Sequence, residues 1–340
     1  MGQDYRVRCC PDGLVTDRRR RVRVLDCTIR DGGLTNNWYF EHELVNRVFK
    51  ALVEANVDCM EVGYRTTKGH QNFPKDKVGP WRFCDEEDLR RVVEPGRIAL
   101  STMVDIGKIT LADIPPKSET VLDVVRVAAY AHQIDEALRT IDHCLQMGYR
   151  TFFQLMAVSE VEPNVLDDCL KRVARSDVYA VCIVDSFGAL YPYHVRFLVR
   201  KYMNFLGEKI KVGAHFHNNQ QQAFANSIVA IDEGVDWVDA TIHGLGRGAG
   251  NCPLELLLFY LDSPRYDARP ILDLVDEFAT LRDDLRWGYH LPYAITGFYN
   301  VHPKSGIALM STADRYKCRS FYESLQDILA DRQDMPPSNR

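Results

Sequence analysis

The sequence predicts an α/β protein, a (β/α)8 or TIM barrel with a C-terminal helical extension. Short β-rich runs alternate with amphipathic helical patterns, and polar residues follow the ends of many different strands. A doubly wound open sheet is the alternative, but its polar residues would gather near one switch point. The predicted strands are VRVLDCT (22–28), DCMEVGY (58–64), RIALSTMV (97–104), TVLDVVRVAA (120–129), TFFQLMA (151–157), VYAVCIVD (178–185), KIKVGAHF (209–216) and VDWVDATI (235–242).

Helical patterns separate most of these strands. Residues 41–56 place leucine, valine and alanine along one face, and the patterns at 133–148 and 218–234 each end in glycine. The stretch DIGKITLADIPPKSE (105–119) is the weakest, because its two prolines permit only a short helix. After about residue 263 the alternation stops and further helices follow.

Three segments are therefore expected along the chain. Residues 1–21 form an N-terminal lead-in, residues 22–262 the catalytic barrel, and residues 263–340 a C-terminal helical region. The basic run RRRRVR (18–23) is interpreted as a solvated approach to the first strand. A nucleic-acid-binding arm is the alternative, but no second basic cluster supports it.

The composition is that of an ordinary soluble globular protein. The 340 residues carry a net charge of −5 and are 46% hydrophobic, which gives no global attraction for nucleic acid. No apolar run reaches the ~18–20 residues of a membrane span, and the N-terminus lacks a signal core. A cytoplasmic location is expected, with the ten scattered cysteines reduced and mostly buried.

Chemically capable residues follow strands one, seven and eight. The first strand ends in LDCTIRDGG, with Arg30 and Asp31 beside two glycines that allow a tight turn. The seventh ends in AHFHNN, where alternation points His215 and His217 to one face. The eighth leads into HGLGRGAGN, where Asn251 offers a carbonyl oxygen. In a closed barrel these strands are neighbours, so a divalent-metal site is predicted from one carboxylate and two imidazoles.

Other strand ends supply candidates for substrate binding. Glu61 follows strand two and could reach the site, although a buried, paired carboxylate is the competing interpretation. Gln154 lies near the end of strand five, and Arg247 lies within the glycine loop. No lysine stands at the C-terminal end of a predicted strand, which disfavours a Schiff-base aldolase.

The combined motifs LDCTIRDGG, AHFHNN and GLGRGAGNCPLE resemble those of the DRE-TIM metallolyase (HMG-CoA-lyase-like) superfamily, closest to 4-hydroxy-2-oxovalerate aldolase-like proteins. The resemblance covers roughly residues 22–262. It implies that Asp31, His215 and His217 bind the metal, with Asn251 as a possible further ligand, and that Arg30 stabilises an enolate. Mn²⁺ or Mg²⁺ would be the cofactor, with Co²⁺ or Zn²⁺ as alternatives.

The resemblance implies an aldolase or lyase that makes or breaks a C–C bond next to a 2-oxo acid, giving a pyruvate-like enolate and an aldehyde. A homodimer and a dehydrogenase partner are expected as well. Two alternatives stay open: a Claisen-type synthase that condenses an acyl-CoA with a 2-oxo acid, and a non-catalytic barrel that depends on a partner.

One position departs from the family pattern. Pyruvate aldolases of this family carry a catalytic histidine two residues after the RDG glycine, and this sequence has Leu34 there. The general base is therefore unassigned. His243 and Tyr293 are the leading candidates and Tyr289 is a third, whereas His302 is expected to be structural.

Overall fold

The computed structural model describes residues 18–74 and 76–333, with side chains described through residue 330. Eight parallel strands close into a barrel in sequential order, which confirms the predicted fold class. Pairing of the last strand with the first, from Arg23 opposite Trp237 to Asp26 opposite Ala240, completes the ring. The strands are β1 Arg23–Asp26, β2 Cys59–Tyr64, β3 Ala99–Asp105, β4 Val124–Ala129, β5 Arg150–Leu155, β6 Ala180–Asp185, β7 Lys211–Phe216 and β8 Trp237–Ala240.

Helices surround the barrel and continue beyond it. Helices α3 to α9 form the outer ring, and α10 to α13 make up the C-terminal region. The helices are α1 Arg18–Arg21, α2 Thr28–Asn36, α3 His42–Glu54, α4 Glu86–Val92, α5 Ile134–Gln146, α6 Pro163–Val173, α7 Pro192–Leu206, α8 Ala223–Glu233, α9 Leu254–Leu261, α10 Arg269–Leu285, α11 Leu291–Phe298, α12 Lys304–Met310 and α13 Cys318–Gln333.

The connection between β3 and β4 differs from the predicted short helix. Two single 3₁₀ turns, Leu111–Asp113 and Lys117–Glu119, replace it. Pro115 and Pro116 lie between these turns. Proline removes a backbone donor and restricts the residue before it, so an α-helix does not propagate through this stretch.

The segment after β1 also differs from expectation. Arg30, Asp31 and the two glycines after them lie in helix α2 rather than in a tight turn. A Cβ on Gly32 would lie 2.5 Å from Leu245 Cδ2, and one on Gly33 would lie 2.0 Å from Trp38 Cδ1. The glycines are needed for close packing around the site and not for a turn.

Apolar side chains fill the interior of the barrel below the C-terminal ends of its strands. The side chains of Phe152 and Trp237 meet edge to face inside it, with ring centroids 5.3 Å apart. Cys27, Cys59 and Cys182 belong to the same apolar cluster. Eight cysteines lie in the described part of the chain; all are unpaired thiols and seven are buried, while Cys9 and Cys10 fall outside it.

The C-terminal helices pack onto the barrel. Arg47 of α3 pairs with Glu277 of α10 at 2.5 Å, on the outer surface. At the barrel mouth, Asn219 Nδ2 donates to the Tyr293 carbonyl oxygen of α11 at 3.2 Å. Helices α11 and α12 therefore lie beside the catalytic end of the barrel. Within the ranges that the structure describes, no helix combines the length and apolarity that a membrane crossing requires.

The lead-in is described only from Arg18 onward; the preceding 17 residues of the expected 1–21 segment fall outside the description. Arg18–Arg21 form the short helix α1. The Arg19 guanidinium stacks on the Tyr260 ring, 4.0 Å from its centroid. The basic run thus contacts the outer helices at the end of the barrel opposite the site.

Substitution of Gly63 by alanine is expected to lower the free energy of unfolding by about 3 kcal/mol or more, because overpacking against backbone forces the structure to shift. Gly63 lies at a register shift between β2 and β3, and its Cβ would lie 2.1 Å from the Trp81 carbonyl oxygen. Urea unfolding measures the change. Gly96→Ala is the control: no atom lies within 4 Å of its Cβ, and its positive φ alone should cost about 1–2 kcal/mol. Equal losses for both variants would contradict the packing argument.

Candidate metal centre

Three predicted ligands converge at the C-terminal end of the barrel. Asp31 comes from the first turn of α2, His215 from β7, and His217 from the residue just beyond β7. One ligand atom from each side chain lies within 4.8 Å of those from the other two, and all three are buried. The spacing of two residues along β7 does place both imidazoles on the side that faces the barrel axis.

In each imidazole, Nδ1 has a hydrogen-bond partner and Nε2 has none among the described residues. His215 Nδ1 lies 3.0 Å from Asp239 Oδ2, and His217 Nδ1 lies 2.9 Å from the carbonyl oxygen of Asp185. Both partners accept, so Nδ1 carries the proton in each neutral ring. The two Nε2 atoms are buried and lack hydrogen-bond partners among the described residues. They offer two oriented lone pairs beside a carboxylate, and this arrangement fits a divalent metal ion.

The electrostatics of the site favour the metal-binding protonation states. Burial, the largest influence on His217, lowers the pKa of its imidazole to about 3. Burial opposes ionisation of Asp31, but Arg30 and the two imidazoles hold the pKa of that carboxyl well below its usual range. At neutral pH Asp31 is therefore a carboxylate and His217 a neutral imidazole, as metal ligation requires.

Asn251 lies next to Asp31, as predicted. Its Nδ2 donates to Asp31 Oδ2 at 2.5 Å and to the carbonyl oxygen of Leu245 at 3.1 Å. Its Oδ1 is buried and has no partner in the described part of the chain. This oxygen is the group that could serve as a further ligand.

A buried network of alternating charges supports these ligands. Arg30 Nε donates to Glu61 Oε2 at 2.7 Å, and Arg126 Nη1 donates to the same oxygen at 2.8 Å. Arg126 Nη2 donates to Asp239, the carboxylate that also binds His215. Glu61 is fully buried beside two guanidinium groups and is not among the residues that line the cavity, so the structure matches the competing interpretation of a paired carboxylate.

A small cavity of about 80 Å³ opens above the predicted ligands. A cavity needs ~10–15 Å³ of this volume to hold one water molecule, so the cavity has room for a compact acid of a few carbon atoms. Gln154 and Arg247 line it, as their predicted role in substrate binding requires. The remaining lining residues are Arg30, Asp31, Leu34, Tyr64, Met103, Ala128, Tyr130, Met156, Val184, Ser186, His215, His217 and His302.

The predicted general bases are not among the described residues that line this cavity. His243 Nδ1 lies 3.9 Å from Glu255 Oε1 of α9, and its ring meets Trp287 edge to face. Tyr293 is buried in a cluster with Ala249 and Met310. The Tyr289 side chain is largely exposed on the surface. The turn after β8 and the packing of α11 direct these side chains away from the substrate.

His302, expected to be structural, does line the cavity. The chain after α11 crosses the barrel mouth, where Asn300 Nδ2 donates to the Ser159 carbonyl oxygen at 3.0 Å. This crossing brings His302 Nε2 to 3.4 Å from Arg247 Nη1. Its position depends on a contact between distant segments, which the sequence alone does not indicate.

Sequence reasoning also missed Arg126 and Asp239. Both are charged residues within apolar runs, Arg126 between Val125 and Val127 and Asp239 between Val238 and Ala240. A charge at the centre of a strand that is buried on both faces requires a buried partner. The sequence therefore indicates that Arg126 and Asp239 each have a buried partner, but it does not indicate which residue that partner is.

A TIM barrel whose strand ends gather one carboxylate and two imidazoles around a small cavity has the arrangement expected of a metal-dependent enzyme. The chain belongs to the HMGL-like family, whose model matches residues 21–276. The family expected from the three motifs is thereby confirmed.

Three similar proteins illustrate the relationship. The chain is 30% identical over 275 residues to the oxaloacetate decarboxylase of Mycobacterium tuberculosis, covering 80% of this chain and 79% of the relative. It is 31% identical over 261 residues to a 4-hydroxy-2-oxovalerate aldolase of Burkholderia pseudomallei, covering 75% and 72%. The crystal structure of the N-terminal domain of a proposed aldolase from Bacteroides vulgatus is 28% identical, with a TM-score of 0.72 over 87% of this chain and 99% of that domain. The expected class of enzyme, a carbon–carbon lyase, is confirmed.

Asp239→Asn is expected to weaken Mn²⁺ binding about 10- to 100-fold, because the amide no longer fixes and polarises the His215 ring as a carboxylate does. Isothermal titration calorimetry with MnCl₂ measures the affinity. Asp236→Asn is the matched control, since Asp236 Oδ2 accepts from the Val212 backbone N–H at the opposite end of the barrel. Unchanged Mn²⁺ affinity in a folded Asp239→Asn protein would show that Asp239 does not support a ligand.

Proposed function

We propose that this protein is a divalent-metal-dependent carbon–carbon lyase that makes or breaks the bond next to a 2-oxo acid. The observation that carries the proposal is the pair of unpartnered, buried Nε2 atoms of His215 and His217 facing Asp31. Both rings are held by their other nitrogen, so the site is organised before any ligand arrives. Arg30 lines the same cavity and supplies a fixed positive charge.

Mn²⁺ or Mg²⁺ is the proposed ion, held by Asp31, His215 and His217 with Asn251 beside them. The two imidazole donors favour Mn²⁺ over Mg²⁺, whose preference is for oxygen ligands. When bound, the ion supplies Lewis acidity at the oxygen atoms of a 2-oxo acid, which lowers the free energy of the enolate.

The residues around the cavity have separate roles in this reaction. Arg30 donates through Nε to Glu61 and through Nη1 to Asp31, so its remaining nitrogen, Nη2, is the one available to substrate. Its guanidinium stabilises the negative charge that develops on the enolate oxygen. Gln154 Oε1 accepts from Arg126, and its buried Nε2 has no partner among the described residues, so it can donate to the substrate.

Aldol cleavage would also need a base for the substrate hydroxyl, and the cavity is poorly supplied with one. Leu34 lines the cavity where the resemblance places a histidine in pyruvate aldolases. Burial raises the pKa of Tyr64 well above its usual range, so its phenol retains its proton. An aldehyde-forming reaction would therefore rely on another group at the cavity mouth.

Decarboxylation of a 2-oxo diacid is a second candidate, which the apolar Leu34 favours. In that reaction the bond from C3 to the distal carboxylate breaks, CO₂ leaves, and the electron pair enters the enolate. The enolate then takes a proton at C3. No base is required for the bond-breaking step. Arg30 stabilises the enolate, and an ion held by Asp31, His215 and His217 would add Lewis acidity at its oxygen atoms.

The oligomeric state, the partner protein and the location in the cell are also matters of proposal or prediction. We propose a homodimer through the C-terminal helices, on which Phe298 is 60% exposed and Leu291 47% exposed. A dehydrogenase partner and a cytoplasmic location stay predictions.

His215→Ala and His217→Ala are each expected to weaken Mn²⁺ binding at least tenfold and to abolish exchange of the pyruvate methyl protons in D₂O. Calorimetry reports the metal affinity, and proton NMR reports the exchange. His143→Ala, on the outer helix α5, is the control and should match the wild-type protein in both measurements. Exchange at the wild-type rate in either site variant would refute the proposed centre.

Leu34→His is expected to raise aldol cleavage of a 4-hydroxy-2-oxo acid about tenfold or more, because a positioned base contributes ~10²–10⁴-fold when fully effective. Decarboxylation of oxaloacetate should change by less than about threefold. Leu34→Asn is the control, since it adds polarity of similar size without a basic nitrogen. Coupled assays for pyruvate measure both reactions. If Leu34→Asn raises aldol cleavage as much as Leu34→His, a missing base does not limit the wild-type protein.

A further inference from the structure

Arg247 lies at the rim of the cavity and has no carboxylate partner among the residues that the structure describes. It comes from the glycine loop after β8, and its Nη2 donates to the Ser186 carbonyl oxygen at 2.9 Å. Its Nε is buried and has no hydrogen-bond partner among the described residues. Arg247 also takes part in none of the ion pairs between described residues, so its charge is balanced only by a backbone dipole.

His302 presents a second donor at the same place. Donors address both of its ring nitrogens, and a neutral imidazole accepts at only one of them. The shorter contact, 3.1 Å from the Lys304 backbone N–H to Nδ1, assigns the ring proton to Nε2. That nitrogen lies 3.4 Å from Arg247 Nη1, which also carries protons. Burial, followed by the charges of Arg247 and Lys304, lowers the pKa of His302 to about 4, so the ring is neutral at physiological pH. Two N–H donors thus meet with no acceptor between them.

The other arginine of the cavity lining is in the opposite situation. Arg30 is paired with Asp31 at 2.6 Å and with Glu61 at 2.7 Å. Its charge is already compensated, whereas that of Arg247 is not. The N–H groups of Arg247 Nη1 and His302 Nε2 face each other without an acceptor, which is unfavourable. An anion placed between them would accept a hydrogen bond from both.

We propose that Arg247 and His302 form an anion subsite that binds the distal carboxylate of a 2-oxo dicarboxylic acid. The inference rests on the proposed function, because it requires that the 2-oxo acid group of the same molecule lies at the Asp31 centre. The substrate is accordingly a short diacid, and the small cavity favours chains of about four to six carbon atoms.

The subsite distinguishes a diacid from an analogue whose distal end is uncharged, because only the diacid gives the two N–H donors an acceptor. A methyl group in place of the distal carboxylate would leave both N–H groups facing an apolar surface. Sites built to hydrogen-bond a substrate group discriminate strongly against the analogue that lacks it. The apolar side chains of Leu34, Met156 and Val184 accommodate the carbon chain between the two polar ends.

Calorimetry on the Mn²⁺-loaded full-length protein tests the proposal with matched ligands. The wild-type protein should bind 2-oxoglutarate about 10- to 100-fold more tightly than 2-oxopentanoate, which carries a methyl group in place of the distal carboxylate. Arg247→Gln should abolish this preference while changing the affinity for pyruvate by less than about threefold. His302→Asn keeps an acceptor for the Lys304 N–H but removes the Nε2 donor, so it should reduce the preference partially. Arg319→Gln, which removes a charge on the exposed face of α13, should retain it.

Two results would overturn the subsite. One is equal affinity of the wild-type protein for 2-oxoglutarate and 2-oxopentanoate. The other is an Arg247→Gln variant that loses pyruvate binding as strongly as 2-oxoglutarate binding, since Arg247 would then hold the carboxylate next to the ketone. In both cases a wild-type protein that binds Mn²⁺ and exchanges pyruvate protons retains the proposed function. A wild-type protein that binds neither Mn²⁺ nor pyruvate loses the proposed function and the subsite together.

Discussion

The catalytic end of this barrel depends on one chain of buried charges of alternating sign. It runs across the barrel from α2 to β8 through Asp31, Arg30, Glu61, Arg126 and Asp239, and it ends at the His215 imidazole of β7, which donates to Asp239. A guanidinium or carboxylate in a dry interior is costly unless opposite charges and hydrogen bonds compensate it. Each member therefore requires its neighbours, and the first and last are proposed metal ligands. The chain fixes the position of Arg30 as well as the orientation of the His215 ring.

The barrel topology makes this chain possible. Glu61 comes from β2, Arg126 from β4 and Asp239 from β8, so the network spans a ring that only closure of β8 onto β1 completes. Below it, aromatic and thiol side chains fill the interior. The network thus forms the boundary between an apolar core and the cavity above it. Loops and C-terminal segments vary the upper wall without disturbing that boundary.

The two arginines that line the cavity differ in their partners. At the base of the cavity Arg30 is paired with two carboxylates, whereas at the rim Arg247 has a carbonyl oxygen and a neutral imidazole for neighbours. The base is therefore preorganised for the proposed metal-bound 2-oxo acid, and the rim for the proposed distal carboxylate. The helical region after the barrel contributes directly to this division, because His302 lies between α11 and α12.

The sequence by itself determined the alternation of strands and helices, and with it the barrel and the edge at which polar residues gather. It also predicted which candidate ligands meet, because the spacing of His215 and His217 follows from strand periodicity and their proximity to the segment after β1 follows from barrel closure. Tertiary structure decided the rest. Glu61 was drawn into the core by Arg126, His243 was directed away by the turn after β8, and His302 was brought in by a chain crossing. Each of these outcomes depends on pairing between residues far apart in sequence, which local patterns do not encode.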